Sequence, residues 1–427
     1  MWQRIASTDA ARDCRTTIAD IERVLAEYIA HAGEDGTPVQ AHVAGGTSGV
    51  ALFFAYLHAA GGHEAAADRA LAALELSSRA LAAQALLPDL YSGFAGVGWV
   101  LAHLTRELFE GDGDLTLEID DALRQMLAGI TEDVPFELVG GLAGYGSYLV
   151  ERLPNAGCAE LIDRVIGLLH ASRDGNGVWF SKPEWLPQWQ RELMPRGHYN
   201  LGVAHGIPGV IGFLAAAQHA GVRDPRVARL ANDAVQWVLA QKGIWPGSTF
   251  PSHIPSDSEP RQTRTAWCYG DLGVAAVLQS AAQAFERPEW RDEALAIARV
   301  AARRSVVDTK VSDAGLCHGA TGLAHLFNRM YQATGDEELG DAAQRWYRIA
   351  LDMRRPGKGL AGYLSWYEST RPGEEGSWRG EQGFLSGIAG IGLALLAAVT
   401  DVEPSWDRVM AVGIPPRLEI NLGVIAS

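Results

Sequence analysis

Seven times along this chain a glycine, in most copies preceded by a small residue, is followed three residues on by a second glycine and then by an apolar stretch. The copies are Gly45-Gly46-Thr47-Ser48-Gly49, Ser92-Gly93-Phe94-Ala95-Gly96, Gly140-Gly141-Leu142-Ala143-Gly144, His205-Gly206-Ile207-Pro208-Gly209, Tyr269-Gly270-Asp271-Leu272-Gly273, His318-Gly319-Ala320-Thr321-Gly322 and Ser386-Gly387-Ile388-Ala389-Gly390. A unit repeated from end to end restricts the fold to stacked or ringed copies of one supersecondary piece. Behind the motifs, stretches such as 50–60, 97–108 and 323–333 are apolar or small nearly all round, the signature of helices buried on every side. Between motifs, residues 66–84, 119–130, 226–241, 290–304 and 337–353 alternate charge and apolarity at helical spacing. Strand signals are weak throughout. The reading is all-α, one domain over 1–427, each repeat an inner apolar helix paired with an outer amphipathic one. The glycines stand where each inner helix begins and backbones crowd. Periodicity leaves an open solenoid and a closed ring as alternatives.

The motifs are unevenly spaced, and the longer steps imply loops at 175–199, 243–264 and 358–381. The first is rich in tryptophan (Trp179, Trp185, Trp189) and proline; the second holds Pro246, Pro251, Pro255 and Pro260. Long loops in a compact domain usually carry function, and these three are expected to wall the mouth of one site. A net charge of -15 argues against a nucleic-acid partner. Four cysteines are too few for a secreted disulfide scaffold. Residues 1–15 are too polar for a signal peptide, and the apolar run 384–399 is short for a membrane span. A soluble cytoplasmic protein is expected.

Two motifs carry ligand-type residues at the same place in consecutive repeats. Trp267-Cys268-Tyr269-Gly270 and Leu316-Cys317-His318-Gly319 together offer two thiolates and an imidazole. That is one ligand short of a closed tetrahedral zinc site, and catalytic zinc keeps such a position open. The competing reading is two buried structural cysteines and an ordinary histidine, and spacing alone does not choose between them.

Three stretches, Asn200-Leu201-Gly202-Val203-Ala204-His205-Gly206-Ile207-Pro208-Gly209, Arg264-Thr265-Ala266-Trp267-Cys268-Tyr269-Gly270 and Cys317-His318-Gly319, resemble the lanthionine synthetase C-like family in order and content, as do the seven glycine repeats. Trp406-Asp407-Arg408 is similar to that family's usual ending, whereas 414–427 has no familiar pattern. The resemblance implies a closed α/α toroid of seven inner and seven outer helices with one Zn²⁺ at one end. It implies an activity, the closing of thioether rings in a dehydrated precursor peptide by adding cysteine to dehydroalanine or dehydrobutyrine. It implies partners too. With no kinase- or dehydratase-like segment ahead of the repeats, a separate dehydratase would prepare the substrate. A transporter is a further candidate, and association with a membrane would come only through such partners.

Residue by residue, the resemblance implies Cys268, Cys317 and His318 as zinc ligands and His205 as the acid or base. Arg264 would orient His205 or offset enolate charge, and Tyr269 would donate a hydrogen bond to the enolate or to the metal-bound sulfur. Glu137 stands where the family usually has an aspartate that positions the histidine, a reach one methylene longer, and Leu272 replaces a common proline. His42 and His325 read as helix-face residues, Cys14 and Cys158 as packing in outer helices. Alternatives are addition of glutathione in trans to dehydroamino acids, a zinc prenyltransferase toroid, which six repeats and a carboxylate ligand would mark, and a non-catalytic peptide-binding scaffold.

Overall fold

A computed structural model describes residues 1–34, 36–61, 64–107, 114, 116–131, 133–243, 247–369 and 374–417. Leu108 at the end of an expected inner helix, Pro246 in the second loop, part of the third loop and the tail beyond Arg417 lie outside the described residues.

In chain order the helices are α1 (Thr8–His31), α2 (Thr47–Ala59), α3 (Glu64–Ala83), α4 (Phe94–Glu107), α5 (Leu117–Gly129), α6 (Leu142–Glu151), α7 (Ala156–Ala171), α8 (Gln188–Leu193), α9 (Ile207–His219), α10 (Pro225–Ala240), α11 (Asp271–Ala284), α12 (Pro288–Arg303), α13 (Val306–Thr309), α14 (Ala320–Thr334), α15 (Glu337–Asp352) and α16 (Ile388–Val399). Those beginning at the glycine motifs are α2, α4, α6, α9, α11, α14 and α16. Each packs on the next, and α16 packs back on α2. The solenoid is therefore excluded and the ring closes. Outside it, α3, α5, α7, α10, α12 and α15 each follow and cover their inner helix, while α16 is covered by α1 from the other end of the chain. The Trp2 indole donates to the Ala397 carbonyl at 2.9 Å, and the Ile5 and Ala6 amides donate to the Ala398 carbonyl, clasping the two ends together.

The burial follows the sequence pattern. Every residue of α16 is buried. In α15 the buried set is one stripe, Leu339, Ala342, Ala343, Trp346, Tyr347 and Ala350, with charged residues opposite. Each large apolar side chain so removed from water contributes roughly 1.5–3 kcal/mol before conformational entropy is counted.

The glycines have a specific steric task. Gly206 opens α9 in an extended conformation, and a Cβ there would run into the Asn200 carbonyl. One turn on, a Cβ at Gly209 would strike the Val203 carbonyl. The first turn of the helix lies directly on the loop that precedes it, and only two glycines three residues apart allow the approach. At Gly319 and Gly322 the obstructing groups are the Gly315 amide and the Leu316 carbonyl.

These loops form one rim of the ring and are tied to each other by backbone hydrogen bonds. Leu90 donates to Val139, Ala44 to Tyr91, Leu385 to Ala44, Cys317 to Leu385, Trp267 and Cys268 to Cys317, and Ala204 to Cys268. Among the described residues, no such bond joins the loop of Ala204 to that of Val139.

The weak strand signals hold for the ring but not for the long loops. There β1 (His198–Asn200) pairs antiparallel with β2 (His253–Pro255), and β3 (Ser365–Tyr367) with β4 (Ser377–Arg379). Strands of three residues are too short to show a period of two. The first two loops thus pair with each other. The third is fastened to the rim where the Trp366 amide donates to Asp313 at 2.9 Å and Arg264 meets Glu368 at 3.1 Å.

Two histidine readings need correction. His42 is not on a helix: it lies in the loop before α2, its Nδ1 accepting from the Gly45 amide at 3.2 Å. His325 is on α14 but wholly buried, its Nε2 2.7 Å from Asp407. That aspartate belongs to the terminal segment, which covers the opposite rim. No described helix is long and apolar enough to cross a membrane.

Candidate functional site

The backbone bonds from Trp267 and Cys268 to the Cys317 carbonyl lay the fifth and sixth motif loops side by side. Ligand atoms of Cys268, Cys317 and His318 consequently all lie within 4.8 Å of one another. Cys268 is buried, and the other two are partly exposed. Around tetrahedral zinc, S and N ligands stand about 3.4–3.8 Å apart, so small side-chain adjustments seat an ion among these three. Two soft thiolates and an imidazole are zinc's preferred donor chemistry. The residues present fit the metal.

The two sulfurs also face each other. Their mutual hydrogen bond pushes the Cys268 thiol well down, with help from His318 and the charge of Arg264, and the same bond pushes Cys317 up. The pair therefore gives up its first proton easily. Cys14 and Cys158 contrast with this. Both are buried in outer helices, where burial raises each to about 12, and they are inert packing as read from the sequence.

His205 sits beside this trio, with its ring centroid 6.3 Å from that of Tyr269, the residue after Cys268. Its Nδ1 is 2.9 Å from Glu137. Glu137 in turn accepts from the Val139 amide at 2.8 Å and the Gly140 amide at 2.7 Å. The longer side chain thus reaches the histidine while anchored to its own loop. This ion pair spans the one step of the rim that backbone bonds leave open. Surrounding protein would lower the His205 pKa by desolvation, but the Glu137 charge and hydrogen bond, aided by Cys268 and Asp89, raise it overall. About half of the side chain remains exposed, 47%.

Among the described residues no hydrogen bond joins Arg264 to His205. Its hydrogen bond goes to Glu368 of the third loop, and its charge acts on Cys268, Cys317 and His318. Tyr269 is half-buried, and its phenol oxygen accepts from the Asn200 amide at 3.1 Å. Burial, then the nearby negative groups, push the phenol's pKa up, so it stays a donor at neutral pH.

Sequence reasoning passed over three residues here. Asn200 links β1 to Tyr269, and behind it stand His198 and His253, ring centroids 4.6 Å apart, the latter 5.1 Å from Tyr269. Burial lowers these histidines to about 4 and about 3, so both are neutral at physiological pH. Asn200 lay within a quoted motif; His253 gave no signal, because only the β1–β2 pairing brings it there.

A family model described as lanthionine synthetase C-like protein matches residues 37–411. The chain belongs to that family. The matched span contains every site residue named above. A curated relative, the glutathione S-transferase LANCL1 of Danio rerio, is 26% identical over 307 residues, covering 68% of this chain and 70% of that protein. Nisin biosynthesis protein NisC of Lactococcus lactis subsp. lactis is 25% identical over 269 residues, covering 57% of this chain and 63% of that one. A solved structure of nisin cyclase superposes with a TM-score of 0.75 over 92% of this chain and 97% of its own, at 20% identity, a likeness of fold. The lanthionine synthetase C-like toroid is thus the frame on which the Cys268, Cys317 and His318 trio and the His205–Glu137 pair are mounted.

Proposed function

We propose that the protein is a zinc-dependent peptide cyclase, joining precursor cysteines to dehydroalanine or dehydrobutyrine as lanthionine or methyllanthionine. The observation that carries this reading is the convergence of Cys268, Cys317 and His318 on one partly open point of the rim, with the His205–Glu137 pair beside it. Zinc held by those three residues supplies a Lewis acid that keeps the substrate thiol ionised at neutral pH.

The chain's own groups do the rest. Glu137 takes the Nδ1 proton side of His205 and turns Nε2 outward, setting its tautomer. Once sulfur has added to the β-carbon, an enolate forms; His205, protonated, delivers a proton to the α-carbon. Tyr269 donates to the enolate oxygen, and Arg264 contributes positive charge beside the ligands. The net reaction adds S–H across C=C with nothing released. It needs an alkene made beforehand, which calls for a separate dehydratase; a transporter for the product remains a further expected partner.

The similarity to a glutathione S-transferase favours one second reading, addition of glutathione in trans to the same alkenes. One assay separates the two. Zinc-loaded protein is incubated with a dehydrated precursor, with and without glutathione, and free thiol is read by alkylation and mass. Ring closure removes the peptide's thiol without changing its mass; trans addition raises the mass by one glutathione. Wild-type turnover by Cys317→Ala would defeat both.

A further inference from the structure

We propose that Asn200 is a positioning residue that fixes the direction of the Tyr269 hydrogen bond, leaving the phenol's hydrogen free to point at the substrate oxygen that becomes the enolate. The inference rests on the cyclase reading for its substrate, but its geometry stands alone.

A hydroxyl can donate or accept, and a phenol that spends its hydrogen on a protein neighbour has none for a substrate. The direction here follows from the amide's orientation. The Gly202 amide N–H donates to Asn200 Oδ1 at 2.8 Å, so that atom must be the carbonyl oxygen. Nδ2 then faces the Tyr269 oxygen at 3.1 Å, and an amide nitrogen only donates. Its second hydrogen faces His198 Nε2 at 3.4 Å, a ring nitrogen able to accept because that histidine is neutral. Among the described residues nothing else hydrogen-bonds the phenol oxygen. Its own hydrogen is therefore uncommitted, on the residue next to a zinc ligand and beside His205.

The fold builds this arrangement deliberately at several points. Asn200 ends β1, where pairing with His253 in β2 fixes it from behind. Gly202 lets the loop lie flat against Tyr269: a Cβ there would press on the Tyr269 ring and the Cys268 carbonyl. His198 and His253 close off the far side with neutral rings, the first fully buried and the second half-buried. His198 Nδ1 is buried without a hydrogen-bond partner among the described residues.

The test uses the zinc-loaded full chain with Asn200→Asp, Tyr269→Phe and the double variant. Aspartate keeps the acceptor for the Gly202 amide and the size of the side chain, but offers Tyr269 an acceptor and captures its hydrogen. Asn200→Asp is expected to lower kcat roughly 10²- to 10³-fold with zinc content unchanged and KM within about twofold, as for loss of one oxyanion donor. Adding it to Tyr269→Phe should cost less than about twofold more, because both act through one hydrogen. Should Asn200→Asp melt early, Asn200→Ala removes the donor without adding charge and is expected to lose roughly 3- to 10-fold. A wild-type rate in Asn200→Asp, or losses that multiply in the double variant, would overturn the proposal. A readout without turnover is the affinity for 3-mercaptopropanoate by calorimetry, its thiol on the metal and its carboxylate accepting from the phenol. Asn200→Asp and Tyr269→Phe should weaken it equally, by at least roughly fivefold; unchanged affinity in Asn200→Asp overturns the proposal. If wild-type protein processes neither dehydrated peptide nor glutathione while both variants weaken this binding, the positioning role stands and the cyclase reading falls.

Discussion

At one rim of the ring the inner helices begin, and at the other they end, and the two rims treat polar groups in opposite ways. At the far rim the segment 400–416 lies across the helix ends and every strong charge is answered. Arg329, 2% exposed, bonds Asp407, Glu403 and the Ile414 and Pro404 carbonyls. Glu151 takes His103, Arg106 and Arg408 together. A cavity of about 590 Å³ lies there, lined by these ion-paired groups and by Trp99, Val150 and Ala411. At the near rim, by contrast, Cys268, Cys317, His318, His205 and the Tyr269 hydroxyl keep unused valences, and all of these residues but Cys268 are partly exposed. Volume is a poor guide to chemistry in this molecule. The candidate site is marked by groups free to meet a ligand, and the far-rim network by charges paired with one another.

The largest expected effect breaks the far rim. Asp407→Asn leaves Arg329 buried with one of its two carboxylate partners neutralised, and should cost about 3–5 kcal/mol of unfolding free energy in a urea titration. Zinc binding at low temperature should survive it. A cost below about 1 kcal/mol would show that the pairing is not what holds that rim.

The next breaks the near rim. His205→Asn should reduce turnover roughly 10²- to 10³-fold, within the range for a general acid, while the urea midpoint moves little. A loss of stability with intact turnover would reverse the roles assigned to the two rims.

Acid separates them more gently. Burial opposes the charge of Glu151, yet His103, Arg408 and Arg106 outweigh it and hold its pKa at about 2, below the ordinary 4.5. A depressed carboxylate stabilises the fold above its unfolded value and surrenders that stability as the pH falls towards 2. Zinc ligands protonate at higher pH than this. Zinc should therefore leave, by chelator absorbance, before helicity falls, by circular dichroism, and Glu151→Gln should flatten the second transition by about 1–2 kcal/mol. Coincident transitions would mean that the rims melt as one.

The contrast was only half legible in the sequence. The near-rim residues could be singled out because they abut the glycine motifs: Cys268, Cys317, His318 and His205 each lie within two residues of a motif glycine. Helices could be read because burial imposes their period; α10, α12 and α15 fall within two residues of the expected spans. Closure could not be read from periodicity, because it depends on α16 packing back on α2 across the whole chain and no local pattern records that; only the family resemblance implied it. The far rim was equally hidden. His325 looked like a helix-face residue until Asp407, 82 positions on, was placed against it. Arg264 was read as orienting His205 or offsetting enolate charge, but its bond to Glu368 could not be foreseen, because that partner stands in a loop whose fold the sequence left blank.

The smallest effect expected concerns the carboxylate that bridges the open step of the near rim. Glu137 does two jobs at once, capping the Val139 and Gly140 amides and holding His205. Glu137→Asp shortens the side chain by one methylene, so one of the jobs must slacken, and the local amides, being nearer in the chain, should win. The histidine would then lose its fixed tautomer and part of the charge that raises its pKa. Because His205 is needed protonated, activity is present below its pKa and lost as pH rises through it; the variant should lose that activity at lower pH than the wild type. At neutral pH the expected fall in kcat is roughly three- to tenfold, with KM unchanged. An alkaline limb that stays in place would mean the loop moves inward to keep the contact, and that the extra methylene is accommodated by backbone rather than by side chain.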